Sequence, residues 1–272
     1  MTHSIEITVG GQSGSARRPL EAAHAPCTSL YAHVPFCFHK CHYCDFYSLV
    51  DTQDRFPAFV DRLIDELRFL APHAGRLDTI FFGGGTPTLL GPDLWARLLD
   101  EMARLFSFGT SNSPGSGGDS SAEFTVECNP ETATNELFDV LVGGGVNRIS
   151  IGAQSFNASH LHTLERRHDP ANVAKSVELA RGAGIGRQSV DLIFAVPGQS
   201  LDEWTSDLER AIALGTEHLS CYALTYEPNT AMTARLERDE FTRADEDLEA
   251  DMYELTVDRL RREGLQRYEV SN

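Results

Sequence analysis

Tyr31-Ala-His-Val-Pro-Phe-Cys-Phe-His-Lys-Cys-His-Tyr-Cys-Asp-Phe46 places three cysteines, Cys37, Cys41 and Cys44, at the spacing Cys-x3-Cys-x2-Cys. Three thiolates this close can converge on one metal centre, and thiolate is a soft ligand suited to iron–sulfur clusters or zinc. A four-iron cubane held by three protein thiolates keeps one iron open for a substrate or cofactor, which turns an electron carrier into a catalyst. The alternative is a structural zinc site with His33, His39 or His42 as the fourth ligand. Structural zinc sites usually use two separated Cys/His pairs, so the spacing favours the cluster.

Outward from this stretch, short apolar β-type runs alternate with longer amphipathic ones, the pattern of βα units and a parallel sheet. Six strands are expected: Ser29–Val34, Thr79–Phe82, Glu123–Glu127, Arg148–Gly152, Ser189–Ala195 and His218–Tyr226. Helices are expected over Phe56–Leu70, Pro92–Phe106, Asn135–Val142, Ala158–Arg166 (a shorter turn), Ala171–Gly182, Leu201–Leu214 and Asp245–Glu263. Gly75, Gly184, Gly215 and Gly264 stand where helix C-caps belong, and Ser107–Ser121 reads as a flexible surface loop. Chemistry-bearing residues follow each strand in turn. The cysteines come after the first and Gly83-Gly84-Gly85-Thr86-Pro87 after the second. Glu127-Cys128-Asn129-Pro130 closes the third, Gln154-Ser155-Phe156 the fourth, Pro197-Gly198-Gln199 the fifth and Glu227-Pro228-Asn229-Thr230 the sixth. Ligands drawn from so many strand ends fit the C-terminal face of a barrel better than an open sheet. The expected fold is α/β, a partial (β/α)6 TIM-like barrel.

Tyr-x-His-x-Pro-Phe-Cys-x3-Cys-x-Tyr-Cys-Asp-Phe resembles the cluster loop of the radical S-adenosylmethionine (SAM) superfamily. The branch it is most similar to holds the oxygen-independent coproporphyrinogen oxidases and the HemW-type haem chaperones. The resemblance implies the same three-quarter barrel, a [4Fe-4S] cluster on Cys37, Cys41 and Cys44, and SAM as second cofactor. Gly84, Gly85 and Thr86 match the family's GGGTP motif, which borders the methionine ammonium group of SAM. Glu127, Gln154, Arg166 and Asp191 match further SAM-binding positions, as do Tyr31 and Tyr43 within the cluster motif itself. The resemblance also implies a reduced electron donor of flavodoxin or ferredoxin type, with haem or porphyrin and a haem-accepting protein as further partners. The branch's true oxidases carry another Cys where this chain has Phe46, which favours the haem chaperone. The alternative is oxidative decarboxylation of the coproporphyrinogen type through a 5′-deoxyadenosyl radical. The family's Gly-Leu-Pro after the fifth strand is replaced by Ala195-Val196-Pro197.

The residues support these assignments to different degrees. A triple glycine alone is as consistent with a plain tight turn; its place after Ile80-Phe81-Phe82 is what suggests close approach of backbone to a ligand. Glu127 at a strand end requires a cationic partner, either a ligand or Arg148, and Asp191 within Val190–Val196 also requires a partner. The three histidines near the cysteines read as hydrogen-bonding or solvated residues. Cys27, Cys128 and Cys221 read as small core residues.

The chain has 272 residues, 23 Lys and Arg against 40 Asp and Glu, and a net charge of −17. A field of that sign repels phosphate backbones and anionic lipid, arguing against nucleic acid and for peripheral membrane contact at most. Six cysteines are too few for a disulfide scaffold, and their clustering points to a reducing, cytoplasmic setting. Residues 1–28 are expected to be a flexible leader without targeting content, and residues 29–272 the radical SAM core. Nothing after Tyr268–Asn272 corresponds to the haem-associated C-terminal domain of the family, which is expected to be absent.

Overall fold

The structure is a computed structural model that describes residues 4–7, 26–51, 54–109 and 122–270. Its strands are β1 (Ser4–Ile7), β2 (Cys27–Val34), β3 (Phe36–Cys37), β4 (Leu49–Val50), β5 (Ala74–Gly84), β6 (Glu123–Cys128), β7 (Arg148–Gln154), β8 (Arg187–Phe194) and β9 (His218–Ala223). Its helices are α1 (Phe56–Leu70), α2 (Pro92–Leu105), α3 (Asn135–Gly143), α4 (Ala158–Thr163), α5 (Ala171–Gly182), α6 (Leu201–Ala213), α7 (Ala231–Glu237) and α8 (Glu246–Arg262). Seven strands form one sheet in the order β1-β2-β5-β6-β7-β8-β9, every neighbouring pair parallel, and β3 and β4 make a separate small pair within the cysteine loop. This is the expected partial barrel.

Side-chain alternation explains why the site lies inside it. Leu30, Ala32 and Val34 on β2, Phe124 and Val126 on β6, Ile149 and Ile151 on β7, and Val190 and Leu192 on β8 form the buried layer beneath the helices. Their strand neighbours, Thr125, Glu127, Ser150, Ser189 and Asp191, carry polar side chains to the opposite, lumenal face. The helices complete that layer. In α1, Phe56, Phe59, Val60, Leu63, Ile64, Leu67 and Leu70 are buried at helical spacing, and α6 starts on a Ser200/Glu203 capping box. Trp204 of α6 is fully buried and donates from Nε1 to Thr256 Oγ1 at 2.8 Å, pinning α8 across it.

Several expectations are corrected. Ser4–Ile7, expected in a flexible leader, pairs in parallel with Ser29–Ala32 as an outer strand, and β2 begins at Cys27 rather than Ser29. Gly75 does not cap α1 but lies in β5; the helix instead passes into a 3-10 turn over Ala71–His73, because Pro72 cannot continue the α-helical ladder. Gly184, Gly215 and Gly264 do follow helix ends, with φ of 98°, 64° and 84°. The loop expected over Ser107–Ser121 is irregular through Gly109 and otherwise lies outside the described residues, as does most of the expected leader. Helix α7 was not anticipated. Among the described residues no helix is long and apolar enough to cross a membrane.

Candidate cofactor site

A cavity of about 420 Å³ opens at the C-terminal ends of the strands, lined by Cys37, Cys41 and Cys44 together with Tyr43, Gly84, Gly85, Thr86, Glu127, Gln154, Arg166 and Asp191. Tyr31 does not line it. Its hydroxyl is bonded to His33 Nδ1 at 3.1 Å and its ring stacks on Phe81, below the level of the mouth. The glycine loop is stitched to the start of the cysteine loop: Gly85 N–H donates to Val34 O at 2.8 Å and Thr86 N–H to Phe36 O at 2.7 Å. A Cβ on Gly85 would stand 2.6 Å from Phe36 O and 2.8 Å from Val34 O, so only glycine permits the approach. Gly84 adopts φ 106°, and its N–H donates to Glu127 Oε2 at 3.0 Å. Gln154 sits at φ 63° on a bulge of β7, a left-handed conformation rare outside glycine and common at ligand sites.

The cysteines sit in a part-apolar surround. Burial raises the Cys37 thiol above its ordinary pKa and pushes Cys44 up to about 11. The compensating cation is Arg166, whose Nη1 lies 3.8 Å from Cys41 Sγ while Nη2 donates to Gly152 O at 2.9 Å. Arg166 Nε is buried and has no hydrogen-bond partner among the described residues. Burial, then the nearby Asp191, raises Glu127 to about 7, and burial also raises Asp191, which accepts from Ser150 Oγ at 3.1 Å. Arg148, the rim partner considered for Glu127, donates instead to Thr125 Oγ1. Among the described residues, neither carboxyl has a salt-bridged Lys, Arg or His.

Residues 31–211 match the radical SAM superfamily. The chain belongs to that superfamily. It is 38% identical over 244 residues to the heme chaperone HemW of Lactococcus lactis subsp. lactis, covering 90% of this chain and 61% of the relative. It is also 38% identical to the heme chaperone HemW of Escherichia coli, over 90% of this chain and 62% of that protein. The chain thus spans about three fifths of the length of these relatives. Among solved structures it is similar to coproporphyrinogen III oxidase (HemN) from Escherichia coli, a radical SAM enzyme, with a TM-score of 0.76 and 26% identity over 88% of this chain and 53% of that one.

Membership in the radical SAM superfamily implies a [4Fe-4S] cluster and SAM, and the cavity fits both. Two part-buried carboxyls without a salt-bridged cation, a glycine turn that lets a ligand approach the backbone and an arginine with an orphaned N–H are what a ligand carrying ammonium, sulfonium and carboxylate groups would satisfy. The thiols surround a cavity rather than a point; among the described residues no three His, Cys, Asp or Glu side chains converge on a single ion. Two of the three histidines considered as ligands are engaged elsewhere: His33 uses Nδ1 for Tyr31 and Nε2 for Tyr47 O at 2.7 Å, and His42 Nδ1 faces the Arg235 guanidinium at 3.2 Å. His39 lines the cavity, with Nε2 3.5 Å from Glu165 Oε2. Sequence reasoning missed the supports of the site. Asp207 of α6 accepts from Ser155 Oγ and from Phe156 N–H at 3.0 Å, fixing the turn that carries Gln154. His168, two residues beyond Arg166, is half-buried with both ring nitrogens out of solvent and neither hydrogen-bonded among the described residues, and burial followed by the Arg166 charge lowers it to about 4. Its only sequence signal is that proximity.

Proposed function

We propose that this chain is the catalytic-type core of a HemW-like haem chaperone, with a [4Fe-4S] cluster on Cys37, Cys41 and Cys44 and SAM between Gly84, Gly85, Thr86, Glu127, Gln154, Arg166 and Asp191. The observation that carries it is the convergence of three thiols and a carboxyl pair without a salt bridge on one cavity. When bound, the two cofactors supply one-electron cleavage chemistry at a carbon–sulfur bond. The chain's own part is positional: Glu127 and Asp191 take the cationic end of SAM, Gly84 and Gly85 let backbone approach it, and Arg166 balances the thiolates and the SAM carboxylate. Tyr43, buried beside Cys41, shields the cluster from water. Haem as cargo, a haem-accepting protein and a flavodoxin- or ferredoxin-like reductant complete the reading, carried by the likeness to the chaperones. Phe46, 61% exposed on the cavity rim, supports it over the oxidase alternative, whose members carry a further Cys there.

Anaerobic reconstitution should give about four irons per chain and a reduced EPR signal that changes on adding SAM. A full cluster in the Cys37→Ala/Cys41→Ala/Cys44→Ala variant would refute the assignment. Haem titration beside 5′-deoxyadenosine release separates the chaperone, which binds haem with little turnover, from the oxidase.

A further inference from the structure

Asp191 is not a dead end in the barrel lumen. Its Oδ1 lies 3.5 Å from Ser189 Oγ, Ser189 Oγ lies 2.8 Å from His218 Nδ1, and His218 Nε2 lies 2.9 Å from Tyr268 Oη. The line is built by the fold. Ser189 and Asp191 are two apart on β8 and so share its lumenal face, and the β8–β9 register sets Ser189 directly opposite His218. Tyr268, in the segment after α8, is 77% exposed and ends the line at solvent. We propose that Ser189, His218 and Tyr268 form a proton relay joining the Asp191 carboxyl in the cofactor cavity to bulk water at the open edge of the sheet.

Donor and acceptor count agrees at each link. With Asp191 protonated, its O–H donates to Ser189 Oγ, the serine O–H to His218 Nδ1, and His218 Nε2–H to Tyr268 Oη. Moving each proton one bond outward delivers one to water. It leaves Tyr268 donating to Nε2, Nδ1–H donating to Ser189, and Ser189 donating to an ionised Asp191. The imidazole must be neutral to serve as donor and acceptor together. Burial, then Arg148, lowers the His218 pKa, with Arg187 adding to this and Glu217 and Glu123 opposing it. Around Asp191 stand Glu127 from β6, Arg148 and Ser150 from β7, and Ser220, Cys221 and Tyr222 from β9.

The relay rests on the SAM reading, which also gives it a purpose. Burial raises both carboxyls above their ordinary range, neither is salt-bridged to a Lys, Arg or His among the described residues, and a cationic ligand requires them ionised. That ligand fills the mouth by which water reaches the cavity, so the expelled proton needs a second exit. Stopped-flow mixing of reconstituted chain with SAM, in weak buffer with a pH indicator, tests this. In the unaltered chain proton release keeps pace with SAM binding. In His218→Phe and Ser189→Ala the protons released per SAM are unchanged but emerge tenfold or more slowly, and added imidazole restores the rate in His218→Phe. Ser189→Ala, the smaller change, keeps the test valid if His218→Phe does not fold. Release as fast as in the unaltered chain overturns the relay and leaves the SAM site standing. Loss of SAM binding in both variants overturns it as well, by showing that the residues shape the site. If the unaltered chain binds no SAM, the cofactor reading fails and the relay with it.

Discussion

Glu127 is a carboxyl held near pKa 7 by burial and by Asp191 nearby, and this has opposite consequences with and without ligand. Without ligand, its folded-state pKa exceeds the unfolded value, so the folded chain holds the proton more tightly. Its stability then falls as pH rises from about 4.3 to about 7, by on the order of 3 kcal/mol for a shift of this size. With a cationic ligand the ionised form is required, so SAM affinity should rise up to about tenfold per pH unit below 7 and level off above it. Glu127→Gln should flatten both profiles, which denaturant titration and SAM binding across pH 5.5–8.5 would read. Unchanged slopes would mean that another group titrates. At Gly85 the constraint is steric, since the added Cβ meets backbone oxygens that cannot swing aside. Gly85→Ala should cost about 3 kcal/mol and leave no stable cluster, measured by chemical denaturation and iron content. Such residues were legible because a motif names the residue type and the reason for it. Tyr31 shows where that stops: its strand parity aims it into the lumen, but its depth along the barrel is fixed by register and by the bond to His33. Asp207 was hidden for a related reason, because its partners, Ser155 and Phe156, lie about fifty residues away in a turn that folds against α6.

At the scale of elements, the cysteine loop is held from across the mouth. His42 N–H donates to Leu164 O at 3.2 Å, His42 O accepts from Met232 N–H at 2.8 Å, and Arg235 Nη1 donates to Thr163 O at 2.9 Å while facing His42 Nδ1. Beneath these bonds Leu164, Ile193, Val196, Leu224 and Met232 form a second small core, with Tyr43 packed on it. Helix α7, which supplies Met232 and Arg235, escaped the sequence reading because seven residues give too short a run for periodicity to show. Its only signal is Thr230, which caps it by accepting from Thr233 N–H at 3.2 Å. The longer elements were readable because apolar residues recur over three or more turns, as in α1. Arg235→Ala should cost about 1–2 kcal/mol. It should speed amide exchange across residues 37–46 of the cluster-free chain and shorten cluster lifetime in air. Arg235→Lys should recover only part, since one ammonium cannot span both acceptors. Equal exchange in the loop of both variants and the parent would show that the loop holds itself.

For the whole molecule, the sheet ends on β1 at one side and on β9 at the other, where every residue before Ala223 is only partly buried. A groove of about 660 Å³ runs between β9 and α8, lined by apolar parts of Leu219, Tyr253, Val257 and Leu260, with Val270 68% exposed beside it. An open parallel edge flanked by apolar surface invites pairing with other chains. It also leaves water close to a cavity whose chemistry depends on excluding it. Covering this edge should therefore strengthen both fold and site. Joining the region of the Lactococcus lactis relative that lies beyond the matched residues to the end of this chain should raise the thermal midpoint by several degrees, since about 1 kcal/mol moves it about 2–4 °C at this size. Cluster lifetime in air and haem affinity should rise with it. A fusion equal to the parent in midpoint, lifetime and haem affinity would show that the β9 edge needs no cover.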